Sequence, residues 1–243
     1  MRHLHRVILI LLLVHGVGAY AAQIGVSPVL VNLDRVNDRA AVTVVNSGTE
    51  PVVMHVEMVE WKRTDAGDED VPTGDMVVNP PIFTIPPGSS QVVRVGVRRN
   101  TPPQSEGSYR LILREVPSAA SVDDTQNTNQ LRVLMAVRVP VYVAPAKVAR
   151  AAQWNATRQA DGSVTASVNN DGNVHVRVNR IQFKLADGQL VPAKQTPMVV
   201  VFPGERQSFR IPGAGGGDSN LPVALELTTN DGQHVVPIKV NQL

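Results

Sequence analysis

Between residues 129 and 143 the chain reads NQLRVLMAVRVPVYV, and every odd position from 131 to 141 is apolar. Leu131, Val133, Met135, Val137, Val139 and Val141 repeat with period two, while Arg132, Leu134, Ala136, Arg138, Pro140 and Tyr142 make a mixed set between them. That spacing puts one continuous apolar row on a single face of a β-strand. At about 3.3 Å per residue the strand would run roughly 40 Å, well past the usual length. Pro140 has no N–H for a ladder hydrogen bond, which predicts a strand at a sheet edge. A long apolar edge is a template for another chain unless something covers it. The segment is therefore either an ordinary core strand or a surface offered to a partner.

Shorter alternating runs fill the rest of the chain. Residues 41–45, 52–61, 82–85, 91–97 and 109–116 are separated by Asn46-Ser47-Gly48, Pro80-Pro81, Pro86-Pro87-Gly88 and Pro117. Residues 64–75 are polar, acidic and glycine-containing, and read as an exposed loop. The polar stretch 118–129 is a second long loop, of the kind that is usually functional or mobile. Residues 144–147 (Ala-Pro-Ala-Lys) form a short, stiff linker. Beyond it, residues 164–168, 174–185, 198–202, 221–228 and 234–240 make a second set of strands. Asp161-Gly162, Asp171-Gly172, Asp187-Gly188 and Asp231-Gly232 separate them as hairpin turns, and residues 213–218 form a Gly-rich loop. Helical periodicity of useful length is missing. The expected fold is all-β, with two β-sandwiches at 22–143 and 148–243.

At the N terminus Arg2 and Arg6 precede an apolar run over 7–14 and the small-residue end Ala19-Tyr20-Ala21. This is the order of a secretory signal peptide over 1–21, cleaved after Ala21. The run is too short to span a bilayer, so the expected product is exported and soluble, without membrane insertion. The sequence pI of 9.1 suggests a nucleic-acid partner, but the charge count removes the idea. Residues 1–21 hold two of the 23 Lys+Arg and none of the 21 Asp+Glu, so the mature chain balances at 21 of each. Cysteine is absent, which rules out disulfides and thiol chemistry.

Chemistry-bearing motifs are equally sparse. Only His55, His175 and His234 of the six histidines lie beyond the signal peptide, far apart and without a second ligand at metal spacing. The chain has no nucleophile elbow, and Gly213-Ala214-Gly215-Gly216-Gly217 lacks the lysine of a phosphate loop. These observations predict a protein that is not an enzyme and needs no cofactor or metal.

Three stretches carry a family resemblance. Asn79-Pro80-Pro81-Ile82-Phe83-Thr84-Ile85-Pro86-Pro87-Gly88 is followed by Gln91-Val92-Val93-Arg94-Val95; the most specific runs Glu106-Gly107-Ser108-Tyr109-Arg110-Leu111 through Arg114-Glu115-Val116-Pro117; the third is the opening strand through Pro140-Val141-Tyr142 to Pro145. In these the chain resembles the periplasmic pilus-assembly chaperones, the PapD-like family, with the first domain fitting better than the second.

The resemblance implies two immunoglobulin-like β-sandwich domains at an angle with a pilin or fimbrial subunit held in the cleft, and delivery of that subunit to an outer-membrane usher. It implies that the long strand is lent to a client that lacks one of its own. By position Leu131, Val133, Met135 and Val137 are the donated side chains. Burying an apolar side chain is worth about 1.5–3 kcal/mol, so three give about 5–9 kcal/mol before ordering costs. The family grips the client's C-terminal carboxylate with two basic residues, whose places are taken here by Leu30 and Pro140. Arg110, helped by Arg138, is the candidate replacement, since arginine forks suit carboxylates. The family's interdomain salt bridge has acidic counterparts in Glu106 and Asp231, but Ala144 stands where its basic partner would be. Self-association in the absence of a client is one way to protect the bare edge. The alternative is a secreted two-domain adhesion or carbohydrate-binding module whose long strand is ordinary core.

Overall fold

The structure, a computed structural model that describes residues 24–98, 103–117, 133–213 and 221–240, is all strand and turn, with no helix among those residues. The first sandwich comprises β1 (Ile24–Ser27), β2 (Val31–Leu33), β3 (Arg39–Asn46), β4 (Val52–Thr64), β5 (Gly67–Pro72), β6 (Met76–Asn79), β7 (Ile82–Ile85), β8 (Ser90–Val97), β9 (Gly107–Val116) and β10 (Ala136–Val143). One layer has the order β1-β3-β8-β6 and the other β2-β10-β9-β4-β5, with β7 sharing β4's outer side with β5. Alternation fills the space between the layers. Val42 and Val44, Val93 and Val95, Leu111 and Leu113, and Val52, Met54, Val56 and Met58 all enter one core.

The second sandwich comprises β11 (Ala152–Arg158), β12 (Val164–Asn170), β13 (Val176–Leu185), β14 (Leu190–Pro192), β15 (Val199–Val201), β16 (Arg206–Ile211), β17 (Pro222–Thr229) and β18 (Gly232–Val240). Its core is separate, with Phe183, Ile181, Leu225, Leu227 and Ile211 at the centre. β18 serves both layers, running antiparallel to β17 over 232–237 and parallel to β11 over 238–240.

Several expectations are corrected. Residues 64–75 are not simply a loop: residues 67–72 form β5, paired to β4 from Val59 to Thr64. Their acidity hid the strand, because β5 lies at a sheet edge and buries no apolar row. The strands β1, β2, β6, β11, β14 and β16 were also missed; all but two are four residues or shorter. Asp171-Gly172 is a crossover and not a hairpin, since β12 and β13 pair with different neighbours. Gly162 and Gly188 adopt φ of 79° and 86° in true hairpins. Gly172 is required for another reason: a β-carbon there would sit 2.6 Å from the Ala149 carbonyl oxygen. The loop over 118–129, the signal segment and most of the Gly-rich loop lie outside the described residues.

Candidate functional site

β10 lies antiparallel beside β9, with Val139 opposite Leu111, Val137 opposite Leu113 and Pro140 opposite Arg110. Opposed residues share a face, so Val137, Val139, Val141 and Val143 point to the core and Ala136, Arg138, Pro140 and Tyr142 point away. Burial along the core-facing row is uneven. Val141 and Val139 are 0% and 1% exposed, Val137 and Met135 half-buried, and Val133 78% exposed. Leu134, on the opposite face, is also exposed.

The strand's free side shows the same gradient. β2 pairs with β10 only at Val141, Tyr142 and Val143, in parallel register. Among the described residues no strand pairs that side over 136–140. Pro140 stands where the cover stops, so the predicted edge strand is an edge for part of its length. Regular strand begins at Ala136, later than the alternation implied. Met135 is still tied to β9, its carbonyl accepting from the Glu115 N–H at 2.9 Å and its own N–H donating to the Glu115 carboxylate at 3.3 Å. Of the four predicted donor residues, Val133 is bare, Met135 is intermediate and Val137 packs partly against its own core. Leu131 lies outside the described residues.

The outer face of the same sheet meets the second sandwich. Trp61 and Tyr142 pack with Val200 and Phe202 in a small apolar cluster, against which Leu30 rests. The Trp61 and Phe202 rings meet edge-on at 4.8 Å. Leu30 thus lies against an apolar corner where a lone cation would lose its hydration.

Charges run past this cluster in an alternating row. The Arg63 Nη1 donates to Glu205 Oε2 of the second sandwich at 3.0 Å and to the Val200 carbonyl at 2.7 Å. Arg63 Nε donates to Asp68 Oδ1 at 3.0 Å, and Arg110 Nη2 to Asp68 Oδ2 at 2.6 Å. Arg110 Nη1 donates to Asp70 Oδ1 at 2.8 Å, and Arg138 Nε to Asp70 Oδ2 at 3.1 Å. The structure therefore brings the two candidate anchors, Arg110 and Arg138, onto one carboxylate. Arg110 is the more enclosed, its side chain 14% exposed against 50% for Arg138, and its guanidinium lies 3.9 Å from the Trp61 ring centre. Partial burial pushes the Asp70 carboxyl up, but hydrogen bonds and charge from Arg110 and Arg138 outweigh it and hold it below the ordinary range. Arg63 and Arg110 do the same for Asp68.

A second tie between the sandwiches centres on His175, which the sequence reading left without a role. Glu106 Oε1 lies 2.6 Å from His175 Nδ1 and accepts the His175 backbone N–H at 3.1 Å. His175 Nε2 lies 3.1 Å from Asn230 Nδ2, an arrangement in which Nδ1 donates and Nε2 accepts. The imidazole stacks on Tyr142 at 3.7 Å, and the Glu106 N–H donates to the Asn173 carbonyl at 2.8 Å. Glu106 thus bridges the sandwiches through a histidine and backbone groups in place of a partner at 144. Asp231 stays within its own sandwich, accepting from His234 Nε2 at 2.9 Å. The sequence signal for Asp68 and Asp70 was their i, i+2 spacing, which places both on one strand face.

A family model described as "Pili and flagellar-assembly chaperone, PapD N-terminal domain" matches residues 23–149, more than half of the chain. Among curated proteins nothing matches. Solved structures match in fold. One is a chain of the CsuC–CsuE chaperone–tip adhesion subunit pre-assembly complex from archaic chaperone-usher Csu pili of Acinetobacter baumannii, with 16% identity, TM-score 0.61, and coverage of 91% of this chain and 100% of that one. A chain of the Salmonella enterica SafA pilin complex with the SafB chaperone matches at 13% identity and TM-score 0.59, covering 89% and 97%. The E. coli chaperone DraB matches at 13% identity and TM-score 0.58, covering 90% and 97%.

Proposed function

The chain belongs to the PapD-like pili and flagellar-assembly chaperones, and we propose that it works in the periplasm by lending the start of β10 to a fimbrial subunit that lacks a strand. Residues 1–21 serve as the export signal, and the sandwiches over 22–143 and 148–243 form the two walls of the cleft. The observation that carries this reading is the change along one apolar row. Val139 and Val141 are buried in the chaperone's own core, while Val133, just before the strand, is 78% exposed, and among the described residues no strand pairs the free side of β10 over 136–140.

A client with an open groove supplies what that edge lacks. Its backbone adds hydrogen bonds along residues 133–140, and its core takes the apolar row from Leu131 through Met135, with Val137 at the border. Burial of such side chains supplies the affinity, and the ladder sets the register. Arg110, with Arg138 beside it, takes the client's C-terminal carboxylate; Arg110→Ala then weakens client binding. The loaded chaperone passes its client to an outer-membrane usher. Without a client, the same edge is open to a second copy of the chain.

Co-expression with a fimbrial subunit encoded beside the chaperone tests the reading. A soluble one-to-one complex is expected, and Val133→Asp should abolish it while leaving the melting curve of the free chaperone unchanged. A complex that survives the substitution, or a variant that unfolds, would contradict strand lending.

A further inference from the structure

Arg110 and Arg138 converge on a carboxylate that belongs to the chain itself. Asp70 gives one oxygen to each guanidinium, Oδ1 to Arg110 at 2.8 Å and Oδ2 to Arg138 at 3.1 Å. That is how two cations would divide the oxygens of a peptide's C-terminal carboxylate. Asp70 sits on β5, opposite Trp61, in a strand whose one partner among the described residues is β4. Asp68, two residues earlier, is held differently. Its Oδ2 accepts from Arg110, but its Oδ1 accepts from Arg63, which is bound in turn to Glu205 and the Val200 carbonyl of the other sandwich. Asp68 is thus part of the frame that fixes the domains, whereas Asp70 ends on the two arginines.

We infer that Asp70 is an internal stand-in for the client's C-terminal carboxylate, holding the Arg110–Arg138 pair until the client displaces it. This rests on the reading of Arg110 as the client anchor. Two like charges beside the apolar Ile112 and Trp61 repel each other, and the enclosed Arg110 loses hydration, so without Asp70 only Asp68 would hold the pair in place. Asp70 supplies one negative charge shared between the two guanidiniums, and a client's terminal carboxylate would bring the same charge to the same place. The Trp61 ring at 3.9 Å and Asp68 at 2.6 Å keep Arg110 in position while Asp70 leaves. The exchange also sets a threshold: a client ending in a carboxylate at the right depth competes, and one without it does not.

Acetate, a minimal carboxylate, tests the exchange directly by NMR titration of the Arg110 and Arg138 Nε–Hε resonances. In Asp70→Asn these resonances should shift and saturate at about tenfold lower acetate than in the parent chain. Asp68→Asn should give no such gain. Failure of acetate to bind more tightly to Asp70→Asn overturns the inference. Affinity for the co-expressed fimbrial subunit separates this from the anchor reading. Unchanged subunit affinity in Arg110→Ala removes the anchor and the inference together. Weaker binding in Arg110→Ala with tighter binding in Asp70→Asn supports both. Weaker binding in both variants leaves the anchor standing and makes Asp70 a strut that orients the cations, which overturns the stand-in.

Discussion

Asp70 and Tyr142 titrate at opposite ends of the pH scale, and each reports on a different part of the cleft. Asp70 and Asp68 have carboxyls held below the usual range by the arginines around them. A lowered native pKa means the stabilisation is present above the unfolded value of about 4 and is lost as pH falls through the native one. The melting temperature should therefore drop below about pH 4, and Asp70→Asn should make that drop shallower in a pH series of thermal melts. The Tyr142 hydroxyl moves the other way, pushed up to about 12 by burial first and by the Glu106 charge second. Its contribution is complete below the unfolded value of about 10 and is lost as pH rises toward about 12. Tyr142→Phe should remove this alkaline loss of stability, read by chemical unfolding at pH 9 and 11. An unaltered alkaline limb would show that Tyr142 is not enclosed between Trp61 and His175 as described.

At the scale of elements β10 is two strands in one. Its last residues are pinned between β2 and β9, and its first have β9 alone among the described residues. Two substitutions in the same row should therefore behave oppositely. Val139→Asp, at a fully enclosed position, should cost several kcal/mol or prevent folding, whereas Val133→Asp should stay within about 0.5 kcal/mol of the parent in urea unfolding. The alternation of Leu131 to Val141 was legible from sequence because period two needs only hydrophobicity to be seen. Where the core beneath it stops was not legible, since that depends on β2 reaching only Val141 to Val143. Asp68 and Asp70 were hidden for a related reason. An acidic edge strand that pairs with arginines on β9 and β10 has no apolar pattern, and its partners lie about 40 and 70 residues away. Val-rich strands with a buried face, such as β3, β8 and β12, showed themselves in the sequence; strands such as β2 and β14, only three residues long, did not.

For the whole molecule, the relation between the sandwiches rests on an apolar cluster flanked by two polar ties. Trp61, Tyr142, Val200 and Phe202 form the cluster, with Arg63–Glu205 on one side and Glu106–His175 on the other. Such a joint should make the domains unfold together. Phe202→Ala removes the ring that meets Trp61 and should resolve two calorimetric transitions where the parent shows one; a single unshifted transition would mean that the cluster contributes little. The joint holds the second sandwich at a fixed place beside Arg110, Arg138 and the start of β10, which themselves lie on adjacent strands of one sheet. Hydrogen exchange of the backbone amides of Ala136 and Arg138, which alternate with those bonded to β9 and so face the free side of β10, tests strand lending most directly when measured with and without a bound fimbrial subunit. The account predicts fast exchange in the free chaperone and strong protection in the complex, while Val139 to Val143 stay protected throughout. Ala136 and Arg138 amides already protected in the free monomer, or unchanged on binding, would contradict it.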